Sequence, residues 1–255
     1  MIDTLKSIEL KANLINRWKN IHLTNSEYTE ESVKRNIMGI LGTSENWKEE
    51  LSGFLKKINL PFMNPDIESK VEINNREIKV YLDLRGIDLS GERFTARRFN
   101  EFAYARNSDR HSSSIGDMSG LHLEYSNLTG VLFEGIDISN SFFDSAIMEG
   151  GIFRHSKCVN SSFIGVIGSK MIFEGSDMTK SCFVFSDLSR SQILSSQIEN
   201  CDFTGSILFR AKIVSSSCDV LTRFVCHKTM AVKFKDSAIV RLRDKEVFLD
   251  ANGKV

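Results

Sequence analysis

The chain has 255 residues, its 33 Lys+Arg balance 33 Asp+Glu, and 41% of it is hydrophobic. That length admits one or two domains and that apolar content supports a real core. No apolar run is long enough to span a membrane, and the five cysteines have neither metal nor disulfide spacing.

Residues 1–22 read as an amphipathic helix, because Ile2, Leu5, Ile8, Ala12, Ile15 and Trp18 fall at three- and four-residue steps. Residues 24–26 break it. A second helix is expected after Thr29, with Glu30 and Glu31 in the first turn, where the helix dipole favours acids, and an end near Gly42. A third starts after Thr43 or Ser44, carries Trp47, Leu51, Phe54 and Ile58, and closes on Lys56 and Lys57. These stripes read as core. Residues 60–65 form a loop. Residues 71–84 alternate around Asn74-Asn75 and predict a β-hairpin.

From residue 116 to 220 a large apolar residue returns every fifth position, from Met118 and Leu123 through Phe203, Leu208 and Ile213. Two places before each centre the residue is usually small, as at Ser126, Ser141, Ala146, Ser176 and Ser186. A period of five fits neither a helix nor a strand and marks a repeat. Every twentieth position repeats a residue type: Phe143, Phe163, Phe183, Phe203 form one column and Phe133, Phe153, Phe173, Ile193, Ile213 another. Like stacks on like after four repeats, which predicts a four-sided coil with turns about 4.8 Å apart and stacked rings filling its axis. Gly, Asn or Ser often stands two places after a centre, as at Gly130, Asn140 and Gly165, where a tight corner calls for positive φ. Large residues at the small place (Leu121, Val131, Ile136, Val166, Met171), and Gly168 at a centre, predict local bulging.

Leu84, Leu89, Phe94 and Phe99 step by five in a different register, and the register breaks within residues 105–115, a polar stretch expected to leave the coil as a loop. After Val220 the repeat stops, and residues 230–234, 238–242 and 246–249 predict short strands. The hairpin and this tail are the candidate caps for the two strand edges that a solenoid exposes. The expected division is a helical domain over 1–70, hairpin and repeat coil over 71–220, and a capping segment over 221–255.

The motifs Ser186-Asp187-Leu188, Ser176-Asp177-Met178, Cys201-Asp202-Phe203 and Ser126-Asn127-Leu128 resemble the A(D/N)LXX motif of the pentapeptide-repeat family. The resemblance covers about 105 residues and implies a right-handed quadrilateral β-helix, hence a mainly β fold with a small N-terminal α-helical domain. It says little of function, since one fold hosts many roles. The family includes bacterial effectors with a non-repeat N-terminal domain, which are delivered to host cells without a Sec signal. It also includes quinolone-resistance proteins that mimic DNA and bind DNA gyrase or another type II topoisomerase. The first layout implies a non-catalytic protein-interaction scaffold of bacterial type; the gyrase-binding DNA mimic is the alternative.

The chemistry-bearing residues do not converge. His155 and Cys158 are three apart, but the register turns Cys158 inward and His155 to a corner; His122 is expected at the surface. There is no Gly-x-Ser-x-Gly elbow and no phosphate loop. No enzyme role, cofactor or metal is expected. The cysteines read as small buried hydrophobes that suit a reducing compartment, and no Sec-type signal is evident. The expected location is the bacterial cytoplasm or a host cell. All six charges from 116 to 150 are acidic, namely Asp117, Glu124, Glu134, Asp137, Asp144 and Glu149. The preceding loop carries Arg106, Arg110 and His111. A basic flap beside an acidic wall offers both signs of charge to one partner. The candidate partner-binding set is therefore Arg106, Arg110, His111, Asp117, Glu124, Glu134, Asp137 and Asp144. The expected partner is a protein; direct nucleic-acid binding is not expected.

Overall fold

The computed structural model describes residues 2–43, 46–62, 67–73, 76–96, 116–225, 233–235, 240–242 and 245–247. Helices α1 (Ile2–Lys19), α2 (Ile21–Thr24), α3 (Glu30–Thr43) and α4 (Trp47–Ile58) come first. Thr29 and Ser32 exchange backbone-to-hydroxyl hydrogen bonds of 2.9 and 3.2 Å and so cap α3. Glu49 and Glu50 open α4, Lys56 and Lys57 close it, and Asn59 ends it in the left-handed region. The antiparallel pair β1 (Glu68–Ile73) and β2 (Arg76–Tyr81) follows.

The coil then runs for about five turns. Its third face forms a parallel sheet of β3 (Arg93–Thr95), β5 (Leu132–Glu134), β7 (Ile152–Arg154), β8 (Ile172–Glu174), β9 (Gln192–Leu194), β10 (Lys212–Val214) and β11 (Lys233–Lys235). The fourth face starts with β4 (Gly116–Asp117) on β6 (Ile136–Asp137). Later in the chain β12 (Val240–Leu242) pairs antiparallel with β13 (Lys245–Val247). We number the faces by their centres: face 1 carries Phe143 and Phe163, face 2 Met148, face 3 Phe153 and Phe173, and face 4 Cys158 and Met178.

Residues of one column pair across turns, as in Phe142↔Ser162↔Cys182↔Asp202. Face 1 rings stack at 4.7–5.0 Å from Phe143 to Phe224. They meet face 3 rings edge-on across the axis, Phe153 with Phe163 at 6.0 Å and Phe173 with Phe183 at 5.8 Å. All these rings are buried, each worth roughly 1.5–3 kcal/mol on transfer from water. The small position does more than avoid a clash. Ser161, Ser176, Ser181 and Ser186 each donate to the carbonyl of a centre one turn back. Ser156, Ser161 and Ser176 also give their N–H to the hydroxyl 20 residues on. The motif Asp is structural too: Asp88, Asp137, Asp177 and Asp187 accept the N–H two residues later.

Two expectations change and one is sharpened. Leu84, Leu89 and Phe94 share the columns of Leu123, Leu128 and Phe133, so their five-residue step forms the first turn of the coil. Their offset arises because residues 97–115 intervene between faces 3 and 4 of one turn, and Met118 supplies the fourth face. The expected loop over 105–115 lies outside the described residues. No bulge occurs at Gly168. Pairing continues through Ile147↔Ile167↔Asp187, and a Cβ on Gly168 would come 2.3 Å from Met171 Sδ. The oversized Met171 fills the space that a large centre would take. His122 is half-buried rather than exposed, and stacks on Phe142 with centroids 4.6 Å apart.

The first edge is capped chiefly by α1. Gly86, at φ +74°, lets the helix backbone approach so closely that a Cβ would lie 2.5 Å from Leu14 O. Trp18 Nε1 and Arg17 Nη2 donate to the carbonyl of Arg85 at 2.8 and 3.0 Å. Beneath them the buried Asp83 carboxylate accepts from Arg17 (2.7 Å), Arg85 Nε (2.9 Å) and Tyr81 Oη (2.7 Å). Burial alone would raise its pKa. The hydrogen bonds from Arg85 and Arg17, with the charge of Arg17, overcome this and hold it well below the carboxylate range. One continuous core runs from Trp18 through the hairpin to Phe224.

Candidate interaction surface

The structure spreads the five described acids of the candidate set over three faces. Asp117 and Asp137 stack on face 4. Asp117 accepts the N–H and hydroxyl of Ser119 and pairs with Lys48 of α4 at 3.2 Å. Asp137 takes the N–H of Ser139. Glu134 begins a ladder on face 3, with Arg154 at 3.7 Å and Glu174 a further 2.9 Å from Arg154. Glu124 and Asp144 share a column on face 1, joined by Tyr125 N–H to Asp144 O. Glu124 bonds His122 Nδ1 at 3.2 Å, and its other carboxylate oxygen is buried without a hydrogen-bond partner. Burial pushes the Asp144 carboxyl up, and the Glu124 charge adds to this against hydrogen bonds from Ser162 and Ile164. Arg106, Arg110 and His111 lie outside the described residues.

Glu134 pairs with Thr95 near the end of one described stretch, and Asp117 and Asp137 pair where the next begins at Gly116, so all three stand beside the junction between face 3 and face 4 of the first turn. Glu124 does not; it adds negative charge beside Arg85, whose protonated form Asp83 and then Glu124 favour against burial. Lys170 pairs with Glu149 at 2.9 Å, which lowers the glutamate's pKa. The patch is thus partly neutralised by Lys48, Arg154 and Lys170.

Among the described residues no group of three His, Cys, Asp or Glu could hold a metal. Burial raises the Cys158 thiol well above its ordinary value and pushes Cys218 to about 11, so neither is a thiolate near neutrality. A cleft of about 430 Å³ at the far edge, lined by Thr204 and residues 220–225, gathers no catalytic constellation.

Sequence reasoning missed a second surface. Phe142, Ile147, Ile164, Ile167 and Phe185 are large, apolar and exposed, all on faces 1 and 2 or the corner between them. Lys170, Arg190 and Arg210 stack along the next corner. The signal was available: each stands at a place the five-residue register turns outward, where a large apolar residue needs a reason.

The 20-residue turn, four faces of five residues and inward centres make the chain a pentapeptide-repeat β-solenoid. No protein-family model and no curated relative matches the sequence. Similar solved structures include HetL, a pentapeptide repeat protein involved in heterocyst differentiation regulation in the cyanobacterium Nostoc, at 13% identity over 61% of this chain and 71% of that one, TM-score 0.35. Trypsin-treated QnrB1, a plasmid-mediated fluoroquinolone resistance protein, matches at 17% identity over 60% of this chain and 77% of its own, TM-score 0.29. A pentapeptide repeat protein of the Arabidopsis thaliana thylakoid lumen matches at 21% identity over 46% and 69%, TM-score 0.23. These likenesses concern the fold. No helix among the described residues is long and apolar enough to cross a membrane.

Proposed function

We propose that the chain is a non-catalytic protein-interaction scaffold. The observation that carries this reading is the filled axis: the Phe columns occupy the interior, and each outward column presents a fixed ladder of side chains. Such a wall suits recognition of a macromolecule better than enclosure of a small substrate. The partner surface we propose joins Arg106, Arg110 and His111 to Asp117, Glu134 and Asp137, with Glu124 and Asp144 as a separate set on face 1. A DNA-mimic reading with a topoisomerase partner needs a strip of free negative charge. It is less favoured because Asp117, Glu134 and Glu149 are ion-paired and the acids divide over several faces. The effector reading rests on a helical domain preceding the coil, a layout for which edge capping also accounts. The test is affinity capture with the full chain against Arg106→Glu/Arg110→Glu and Asp117→Lys/Asp137→Lys variants. The scaffold reading predicts a partner captured by the parent chain and lost from both variants. Identical capture by all three would remove this surface, and inhibition of gyrase supercoiling by the parent chain would favour the alternative.

A further inference from the structure

We propose that Glu124 and Asp144 form a proton switch on face 1: in acid the pair takes up one proton, and the face loses its hold on a cationic partner. The release rests on the scaffold reading; the proton uptake does not. The two acids occupy the same place on consecutive turns, since Gly86 gives its N–H to Glu124 O at 2.9 Å and Tyr125 gives its N–H to Asp144 O at 3.0 Å. Their side chains therefore start from neighbouring rungs, about 4.8 Å apart. Three other acids of these turns have a base: Asp117 has Lys48, Glu134 has Arg154 and Glu149 has Lys170. Among the described residues Glu124 and Asp144 have no Lys or Arg at ion-pair distance. Glu124 has only His122, Nδ1 to Oε1 at 3.2 Å, and its Oε2 is buried without a hydrogen bond. Asp144 Oδ1 accepts from the Ser162 hydroxyl and from the Ile164 N–H at 3.0 Å.

The groups that face the pair do not neutralise it. On the turn before, the Arg85 guanidinium is turned onto Asp83, with Nε and Nη2 each 2.9 Å from a carboxylate oxygen. Beside Glu124, His122 is held by its stack on Phe142. The corner residue Tyr125 gives Asp144 a backbone N–H. Beyond Ser162, Cys182 is a thiol whose pKa burial raises, with the charges of Asp202 and Asp144 adding to it. Two part-buried carboxylates without a counter-ion repel, and one proton shared between them ends the repulsion. The same proton relieves the unpaired Oε2, whose burial costs free energy while it lacks a donor. Burial, with the Glu124 charge, already holds the Asp144 carboxyl above its ordinary value of about 4 against the bonds from Ser162 and Ile164. The folded chain thus binds this proton more tightly than the unfolded chain, and acid strengthens the fold here while it removes a charge. At neutral pH two adjacent charges with no base of their own suit a Lys or Arg of the partner; in acid the proton takes that place.

The test is a carboxyl-carbon NMR titration of the full chain, with Asp144 assigned by its loss in Asp144→Asn. The proposal expects the Asp144 carboxyl and the Ile164 amide, which is bonded to it, to titrate together, with the Glu124 carboxyl sensing the same step. The midpoint should fall in Glu124→Gln and stay where it is in Glu174→Gln, which alters an acid paired with Arg154 on face 3. A midpoint unmoved by Glu124→Gln, or one at or below the ordinary aspartate value, would overturn the switch. Release is read with a fluorescein-labelled tetralysine peptide. From about pH 7 to about pH 4.5 its binding should weaken roughly threefold more for the parent than for Asp144→Asn, the size of one exposed ion pair. Equal losses, or a peptide that does not bind the parent at neutral pH, would overturn the release. A partner captured by the parent chain, together with an Asp144 midpoint unmoved by Glu124→Gln, would remove this proposal and leave the scaffold reading standing.

Discussion

Around Phe163 the coil is held by repetition: identical rings above and below, an edge-on ring opposite, and serine hydroxyls linking turn to turn. Around Asp83 nothing repeats. There the coil has only one neighbouring turn, and the missing neighbour is replaced by a helix, an indole N–H and two guanidiniums on one buried carboxylate. The middle is stabilised mainly by apolar burial, which survives changes of pH and salt. The first edge is stabilised by charge-assisted hydrogen bonds, which hold only while every member is present.

Two substitutions should break the comparison most sharply. Phe163→Ala empties part of an interior stack and should cost about 3–5 kcal/mol. Asp83→Asn leaves Arg17 and Arg85 buried without their counter-charge and should cost about 3–5 kcal/mol as well. The readouts separate them, because both tryptophans, Trp18 and Trp47, lie in the helices. Denaturation of Phe163→Ala should move the fluorescence and circular-dichroism transitions together. Asp83→Asn should move the fluorescence transition first, and coincident transitions in both variants would contradict the distinction.

A middle-sized effect tests the exchange of roles at Gly168. Met171→Ala should cost about 2–5 kcal/mol by opening a cavity, and Gly168→Leu about 1–3 kcal/mol by collision with Met171. The double variant restores the ordinary large-centre, small-neighbour pattern and should be more stable than the sum of its parts. Additive losses would mean that the two residues do not share that space.

This exchange also marks where sequence reading succeeds and stops. Twenty-residue columns were legible because Phe143, Phe163, Phe183 and Phe203 are alike. Gly168 and Met171 read as defects when taken one at a time, since compensation is a property of the pair. The first turn read as a step in a different register because residues 97–115 shift its numbering without shifting its columns. Asp83, Arg17 and Arg85 had no visible signature, because Arg17 stands 66 residues before Asp83 and reaches it only by docking of α1. Of the candidate site, the charges were legible, but their assignment to faces and their partners were not. Asp137 looked available and instead accepts a turn N–H.

Acid should act oppositely on two carboxylates. Asp83 has a depressed folded pKa, so its stabilisation is present above the unfolded value of about 4 and is lost as pH falls further toward the folded value. Asp144 has a raised folded pKa, so its ionisation opposes the fold, and acidification through that value relieves the cost. Asp144→Asn should therefore stabilise the chain at neutral pH relative to its effect in acid, measured by denaturation midpoints against pH. An unchanged difference would show that Asp144 titrates normally.

The smallest effects lie at the polar positions of the middle turns. Ser181→Ala removes one buried hydroxyl and should cost about 1 kcal/mol, as Ala146 and Ala211 already occupy equivalent places. Glu174→Ala should leave the midpoint unmoved despite its 2.9 Å pair with Arg154. A large loss at Glu174 would mean that the face 3 ladder carries stability.

The central claim is that the helices cap one edge of a rod whose middle is stabilised by its own repeats. Hydrogen exchange of the full chain, parent against Asp83→Asn, tests it most directly. The account predicts that protection falls in α1 and at Leu84, Gly86 and Leu89, while amides from Phe143 to Phe203 exchange as in the parent. Uniform loss along the coil, or none at the first turn, would contradict it.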